Sequence, residues 1–186
     1  MKNIIFIFII FLFSACENRK QDNSSQEAQA SNSEQEKPKA KVKVEMPTFD
    51  SSKVEKAKIA PIIKAYLPLK DAFVASNFAE TQKLAGELAS AISSDALQSL
   101  KADAEQIKHA ADIEAQRLVF YQLSAKLFVL VKNFGGNTQE LHQQYCPMAF
   151  DNQGAYWLSD KSEIRNPYFG DQMLKCGIIN ETLAVK

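Results

Sequence analysis

Four sulfur-bearing residues stand in two pairs near the C-terminal end of this 186-residue sequence. Cys146 is followed by Pro147 and Met148, and Met173 stands three positions before Cys176. Because a residue before proline favours extended backbone, Cys146 and Met148 are expected on one side of an extended segment. On a helix, Met173 and Cys176 would share a face. The spacing therefore allows two thiols and two thioethers to converge, and such soft ligands favour Cu(I) over hard cations.

The same two cysteines also fit a structural disulfide. In an oxidising compartment, a bridge between cysteines this far apart would contribute roughly 3.5 kcal/mol in the loop-entropy model. Spacing alone does not separate this bridge from a metal site. A bridge has no use for Met148 and Met173, whereas a Cu(I) site gains a neutral soft donor from each of them. The methionines therefore favour metal binding.

His142 is a secondary candidate ligand, because positions 142, 144 and 146 lie on one side of a strand. An exposed histidine without any ligand role fits the sequence equally well. His109 falls on a helix far from the sulfur residues, where a solvated or locally paired side chain is expected.

The sequence lacks the familiar catalytic motifs. It contains no Cys-x-x-Cys, no haem-attachment motif, no glycine-rich phosphate loop and no metalloprotease histidine pair. We therefore do not expect an enzyme. A thiol-disulfide enzyme stays as one alternative, and it would require an exposed cysteine of low pKa.

Residues 1–15 have the form of a lipoprotein signal peptide. A lysine is followed by an apolar run too short to span a bilayer, and then by two small residues. Cys16 is expected to become the lipidated first residue of the exported chain. The protein is therefore expected in the cell envelope, anchored by its lipid to a membrane and facing the periplasm, with the outer membrane as one candidate.

Residues 16–48 are predicted to form a disordered tether, because they are rich in polar residues and contain no aromatic ones. Residues 49–186 are predicted to form one domain, since a chain with 46% hydrophobic residues can build a single core. The 22 basic and 22 acidic residues cancel in net charge. Nucleic acid is consequently not an expected partner.

Four segments between about residues 51 and 134 show helical periodicity. Asn77 and Asp112 are candidate N-caps, Gly135 is a candidate stop, and Pro61 and Pro68 are expected to start, kink or split the first helix. The expected buried stripes are Ile62, Tyr66, Leu69 and Phe73; Leu84, Leu88 and Ile92; Leu97, Leu100, Ala104, Ile107 and Ala111; and Ile113, Phe120, Leu123, Leu127, Leu130 and Phe134.

Beyond the fourth helix, two short extended pieces are predicted at 141–146 and 155–159, with a turn at 151–154 between them. A short helix is expected to begin at Asn166, or only at Asp171, and to carry Met173 and Cys176 on one face. The predicted fold is mainly α: an antiparallel four-helix bundle with an irregular C-terminal segment containing short strands and a short helix.

The C-terminal segment resembles a bacterial family of exported domains associated with copper handling. These domains occur alone in lipoproteins or appended to membrane-fusion adaptors of copper/silver efflux systems. Weaker likeness extends over the helices, so the resemblance covers about residue 50 to the C-terminus. The residues that carry it most strongly are Tyr145-Cys146-Pro147-Met148-Ala149, Gly154-Ala155-Tyr156-Trp157-Leu158-Ser159, Ile164-Arg165-Asn166-Pro167-Tyr168-Phe169-Gly170, Met173-Leu174 and Cys176-Gly177.

This resemblance implies binding of copper or a related metal through Cys146, Met148, Met173 and Cys176. Together with the soft character of these ligands, it indicates an exported lipoprotein that binds Cu(I) or Ag(I) for sequestration or delivery to an efflux system. Its expected partners are the copper ion, the membrane through the lipid anchor, and an efflux adaptor or other envelope protein. The alternative is a non-enzymatic interaction module stapled by a Cys146–Cys176 disulfide.

Overall fold

A computed structural model describes residues 47, 49 and 52–186 of the chain. The expected signal peptide, the lipidation site Cys16 and nearly all of the expected tether lie outside the described residues. The described part is mainly helical, with a small antiparallel sheet near its end. The long helices α1 to α4 span Ile59–Val74, Phe78–Ala91, Gln98–His109 and Ile113–Phe134, and strands β1 to β3 span Leu141–Cys146, Ala155–Ser159 and Ile178–Leu183.

Each long helix packs against the next one along the chain, and their apolar stripes form one core. The Phe120 ring lies near the middle of this core, with its centroid 4.4 Å from that of Phe73 and 5.4 Å from that of Tyr66. The expected stripe residues are buried or partly buried, except Ala111, which is exposed. Burial of each large side chain contributes about 1.5–3 kcal/mol, so these stripes account for the packing of the helices. Within the described part of the chain, none of the helices has the length and apolar character needed to cross a membrane.

Side-chain caps and a glycine set the ends of α2 and α4. The Asn77 side chain accepts a hydrogen bond from the Glu80 N–H at 3.1 Å, and the Asp112 carboxylate accepts one from the Ala115 N–H at 2.7 Å. Helix α4 ends at Phe134, and Gly135 follows it with a φ of +72°, in the region that favours glycine. These boundaries agree with those predicted from the sequence.

Two prolines lie in α1 without breaking it. Pro61 stands in the first turn, where its missing N–H removes no intrahelical hydrogen bond. Pro68 stands in the interior, yet the helix continues to Val74. Leu69 and Phe73 are fully buried beyond the proline, so their packing holds the last turns of α1 in place. The split that the sequence allowed at Pro68 does not occur.

The three strands form an antiparallel sheet in the order β2-β1-β3. Cys146 pairs with Ala155, and Gln144 pairs with Trp157. Residues 147–154 therefore connect β1 to β2. The pairing of β1 with β3 contains a register shift between Gln143 and Gln144. Strands β1 and β2 coincide with the two predicted extended pieces, whereas β3 was not predicted.

Buried hydrogen bonds attach the sheet to the helices. The Tyr66 hydroxyl of α1 accepts a hydrogen bond from the Leu158 N–H of β2 at 3.2 Å, and it lies 2.8 Å from the Ser124 hydroxyl of α4. Burial raises the pKa of Tyr66 well above its usual range, so this hydroxyl stays protonated. Helix α4 also packs against β2. The helical core thereby fixes β2 and, through it, β1, whose last residue is Cys146.

Candidate metal centre

The sulfur atoms of Cys146 and Cys176 lie 2.9 Å apart, and both residues are free thiols. Cys146 ends strand β1 and is fully buried. Cys176 lies just before β3 and is partly exposed. The structure therefore brings together the two cysteines that the sequence singled out, one held by the sheet and the other by a turn.

One methionine flanks each cysteine. Met148 follows Cys146 by two residues and is 46% exposed, and its backbone N–H interacts with the Cys176 thiol. Met173 is partly exposed, and its carbonyl accepts a hydrogen bond from the Cys176 N–H at 3.0 Å. Both methionines therefore stand on segments that adjoin the sulfur pair and reach solvent.

The prediction that a short helix carries Met173 and Cys176 is wrong. A single 3-10 turn spans Gly170–Gln172, and Met173 follows it with a non-helical φ of −146°. Gly170 has φ +56°, outside the right-handed helical region, and a Cβ there would overlap the Ser76 hydroxyl oxygen just beyond the end of α1, so a right-handed helix cannot run through this residue. Met173 and Cys176 are joined by a turn instead.

Asn166 ties the Cys176 turn to the preceding loop and is fully buried. Its side-chain amide donates to the Cys176 carbonyl at 2.9 Å, and its side-chain oxygen accepts from the Tyr168 N–H at 2.8 Å. Its backbone N–H donates to the Leu174 carbonyl at 2.8 Å. The sequence suggested Asn166 only as a helix cap. The Asn-Pro dipeptide signals a turn, but no local pattern reveals a partner ten residues away.

Replacing Asn166 with alanine should lower the free energy of unfolding by about 2 to 4 kcal/mol. The change leaves the Cys176 carbonyl and the Tyr168 N–H without partners, and each buried unpaired group costs about 1–3 kcal/mol. Urea unfolding followed by circular dichroism measures the loss. Asn180→Ala is the matched control, because Asn180 is exposed and donates one hydrogen bond to Gln143, so its loss should stay below about 1 kcal/mol. Equal losses in the two variants would contradict the assigned role of Asn166.

The connection from β1 to β2 is a left-handed turn. Phe150, Asp151 and Asn152 have φ of 51°, 55° and 64°, and Gly154 has φ of 79°. Left-handed backbone costs roughly 1–2 kcal/mol per residue other than glycine. The Phe150 ring offsets part of this cost by packing 5.3 Å from the Tyr168 ring. The predicted turn at 151–154 is therefore present, but it begins one residue earlier, close to Met148.

His142 lies toward the other end of β1 from Cys146. Its Nδ1 lies 3.1 Å from the Thr182 hydroxyl, and its Nε2 lies 3.6 Å from the Glu140 carboxylate. Four residues of strand separate it from Cys146 by about 13 Å. The structure thus does not bring His142 to the sulfur pair. His109 is exposed on α3 beside Glu105, as expected.

Three or more His, Cys, Asp or Glu side chains do not cluster into a metal site anywhere in the described residues. Any metal held at Cys146 and Cys176 would therefore depend on these two thiolates and on the neighbouring thioethers. This donor set suits a soft ion of low coordination number.

Alkylation of Cys176 should be slow at neutral pH and should accelerate about tenfold per pH unit up to about pH 11. Burial first, and then the hydrogen bond with Cys146, raise the pKa of the Cys176 thiol to about 11, so little reactive thiolate exists at pH 7. Mass spectrometry of the reduced chain after timed iodoacetamide exposure measures the rate. A plateau below pH 8 would instead indicate an activated thiol, as a thiol-disulfide enzyme requires.

The helices match a known family, whereas the sulfur-bearing segment lies outside the match. The family is described as protein of unknown function (DUF3347), and it matches residues 62–139. The chain is thus similar to this family from α1 to the residues just before β1. Neither the curated proteins nor the solved structures include a significant match to the chain. The match carries no information on copper.

Proposed function

We propose that this protein is a non-enzymatic exported lipoprotein that binds Cu(I), or Ag(I), and holds the ion or delivers it to an efflux system. The observation that carries the proposal is the 2.9 Å approach of the Cys146 and Cys176 sulfur atoms. Two adjacent thiolates supply negative charge and most of the affinity for a soft monovalent ion.

The flanking methionines give the proposed site its selectivity. Thioethers bind Cu(I) without losing a proton and offer little to harder ions. Met148 is 46% exposed and Met173 is partly exposed, so both side chains reach solvent, and each residue lies close in sequence to one of the two cysteines. In this proposal an incoming ion meets thioethers first and the thiol pair last.

Delivery follows from ligand exchange at the same sulfurs. In this proposal the soft ligands of a partner first displace Met148 from the ion and then displace the two thiolates. The ion thereby passes to the partner without being released into solution. The partner in this proposal is an efflux adaptor or another envelope protein, and the lipid on Cys16 keeps the exchange at the membrane surface.

Anaerobic titration of the reduced chain with Cu(I), against a chromophoric chelator, tests the proposal. We expect one ion per chain and weaker binding in the Met148→Ala, Met173→Ala double variant. Met46→Ala is the matched control, because Met46 lies outside the sulfur-bearing segment of the sequence, and it should leave the affinity unchanged. Failure of the reduced chain to compete with the chelator would overturn the proposal.

A second candidate function is favoured by the same short sulfur separation. The two thiols stand close enough to form a disulfide with little movement, and such a staple would serve an interaction module that docks another envelope protein. Free-thiol counting on exported protein that has never been reduced separates the two functions. A complete disulfide that copper does not affect, and that resists reduction in the folded state, would favour the staple.

A further inference from the structure

The distance between the Cys146 and Cys176 sulfur atoms lies between the distance in a disulfide and the distance expected for two thiolates that bind one metal ion. A disulfide requires about 2.05 Å between the sulfurs. Metal–thiolate bonds of about 2.3 Å, at angles from tetrahedral to linear, would hold the sulfurs about 3.8 to 4.6 Å apart. The observed 2.9 Å is therefore too long for the bond and too short for a shared ion. Either state needs a shift of roughly 1 Å or somewhat more.

We propose that the Cys146–Cys176 pair is a redox-controlled metal site, in which formation of the disulfide expels the ion and reduction restores binding. This inference rests on the proposed Cu(I) function and adds a control to it. The two states exclude each other because they use the same sulfur electrons. A disulfide sulfur carries no charge and is a poor donor, so only the neutral thioethers would face the ion after oxidation.

The unequal exposure of the two cysteines sets the order of the reaction. Cys146 is fully buried, whereas Cys176 is partly exposed. A small-molecule disulfide from solution therefore meets the Cys176 sulfur first. Through its small thiolate fraction, Cys176 slowly attacks it, forms a mixed disulfide and expels one small thiolate. Cys146 then attacks the Cys176 sulfur and expels the second small thiolate. Two protein thiols become one disulfide, and one external disulfide becomes two thiols that take up the two protons released by the cysteines, so electrons, protons and atoms balance.

The backbone around the pair lets one side chain adjust while the other stays fixed. Cys146 belongs to β1, which pairs with strands on both sides. Cys176 stands outside the sheet, and its backbone is anchored by the hydrogen bonds to Asn166 and Met173. Its Sγ has to move about 1 Å inward for the bond or outward for the ion, so the change is confined to the Cys176 side chain and its turn.

Oxidative release from the loaded chain tests the proposal directly. The full chain in a Cys16→Ser background, which leaves two thiols, is loaded with one Cu(I) under anaerobic conditions. Oxidised glutathione is added with a Cu(I) chelator too weak to strip the reduced site. We expect one Cu(I) to reach the chelator for every two thiols lost, and a phosphine reductant to restore binding. Disulfide formation with the copper retained would overturn the proposal.

Two single variants test the order of the reaction without any metal. After exposure to oxidised glutathione, Cys146→Ser should accumulate a mixed disulfide on Cys176, because the second thiol is missing. Cys176→Ser should accumulate almost none on the buried Cys146. Equal modification of both variants would contradict the assigned order. This result is independent of copper, so it stands apart from a failure of the proposed function, which appears as a reduced chain that binds no Cu(I).

Discussion

Replacing Cys146 with serine should lower the Cu(I) affinity of the reduced chain by at least about 100-fold. Loss of groups that merely support a metal ligand costs 10–100-fold, and Cys146 is proposed as one of the two charged ligands. A single remaining thiolate with thioethers leaves the ion one strong anionic donor instead of two. Competition with a chromophoric chelator under anaerobic conditions measures the change, and circular dichroism checks that the variant is folded.

His142→Ala is the matched control for this prediction. His142 pairs with Thr182 and Glu140 and lies away from the sulfur pair, so its removal should change the affinity by less than about threefold. A loss in His142→Ala as large as that in Cys146→Ser would show that the imidazole joins the site, and the two-thiol arrangement would then be wrong.

Tyr168→Ala should lower the free energy of unfolding by about 3 to 5 kcal/mol, as large-to-small changes of buried aromatic residues do. Tyr168 is only 6% exposed, and its ring packs against the rings of Phe120, Phe150 and Trp157 at centroid distances of 5.9, 5.3 and 5.8 Å. These rings join the helical core to the loop that leads to Cys176. Urea unfolding monitored by circular dichroism measures the loss.

Tyr168→Phe separates the packing of this ring from its hydroxyl. The hydroxyl donates a hydrogen bond to the Tyr156 carbonyl of β2, and its removal should cost only about 1 to 2 kcal/mol. Similar losses in the two Tyr168 variants would mean that the hydrogen bond, and not the aromatic contacts, holds the loop on the core.

The helical part of the fold could be predicted in detail because its signals are local. The apolar residues recur every three to four positions, and the caps at Asn77 and Asp112 act within one turn of their own position. Strands β1 and β2 were also predictable, since turn-forming residues bound them on both sides. The split that the sequence allowed at Pro68 does not occur, because tertiary packing outweighs a local preference.

The elements that the sequence did not predict are those that depend on partners distant in the chain. Strand β3 carries Ile178, Ile179 and Thr182, which favour strands, but its apolar residues do not alternate with polar ones, and its first three residues are all exposed. The helix expected before Cys176 is replaced by a turn that Asn166 fixes from ten residues away. Both features become visible only when the chain has folded.

For the candidate site too, features within one segment could be predicted, whereas contacts between segments could not. The sequence identified Cys146 and Cys176 as a pair, and the structure brings their sulfurs to 2.9 Å. It also suggested His142 through strand alternation, but His142 stands four residues before Cys146, toward the other end of β1. The spacing of residues along one strand or helix predicts which side chains share a face. Whether two segments distant in sequence come together depends on the packing of the whole domain.

Strand β3 leaves one edge of the sheet open in the described part of the chain. Ile178 is 60% exposed and Ile179 is 41% exposed, and the outer backbone groups of this strand are able to accept another strand. The ion pair between Glu181 and Lys132, at 2.7 Å, places charge on part of this edge only. Concentrated protein is therefore expected to self-associate through β3 while its helices are still folded. Its resistance to aggregation is then limited by this open strand edge and not by the stability of the helical core.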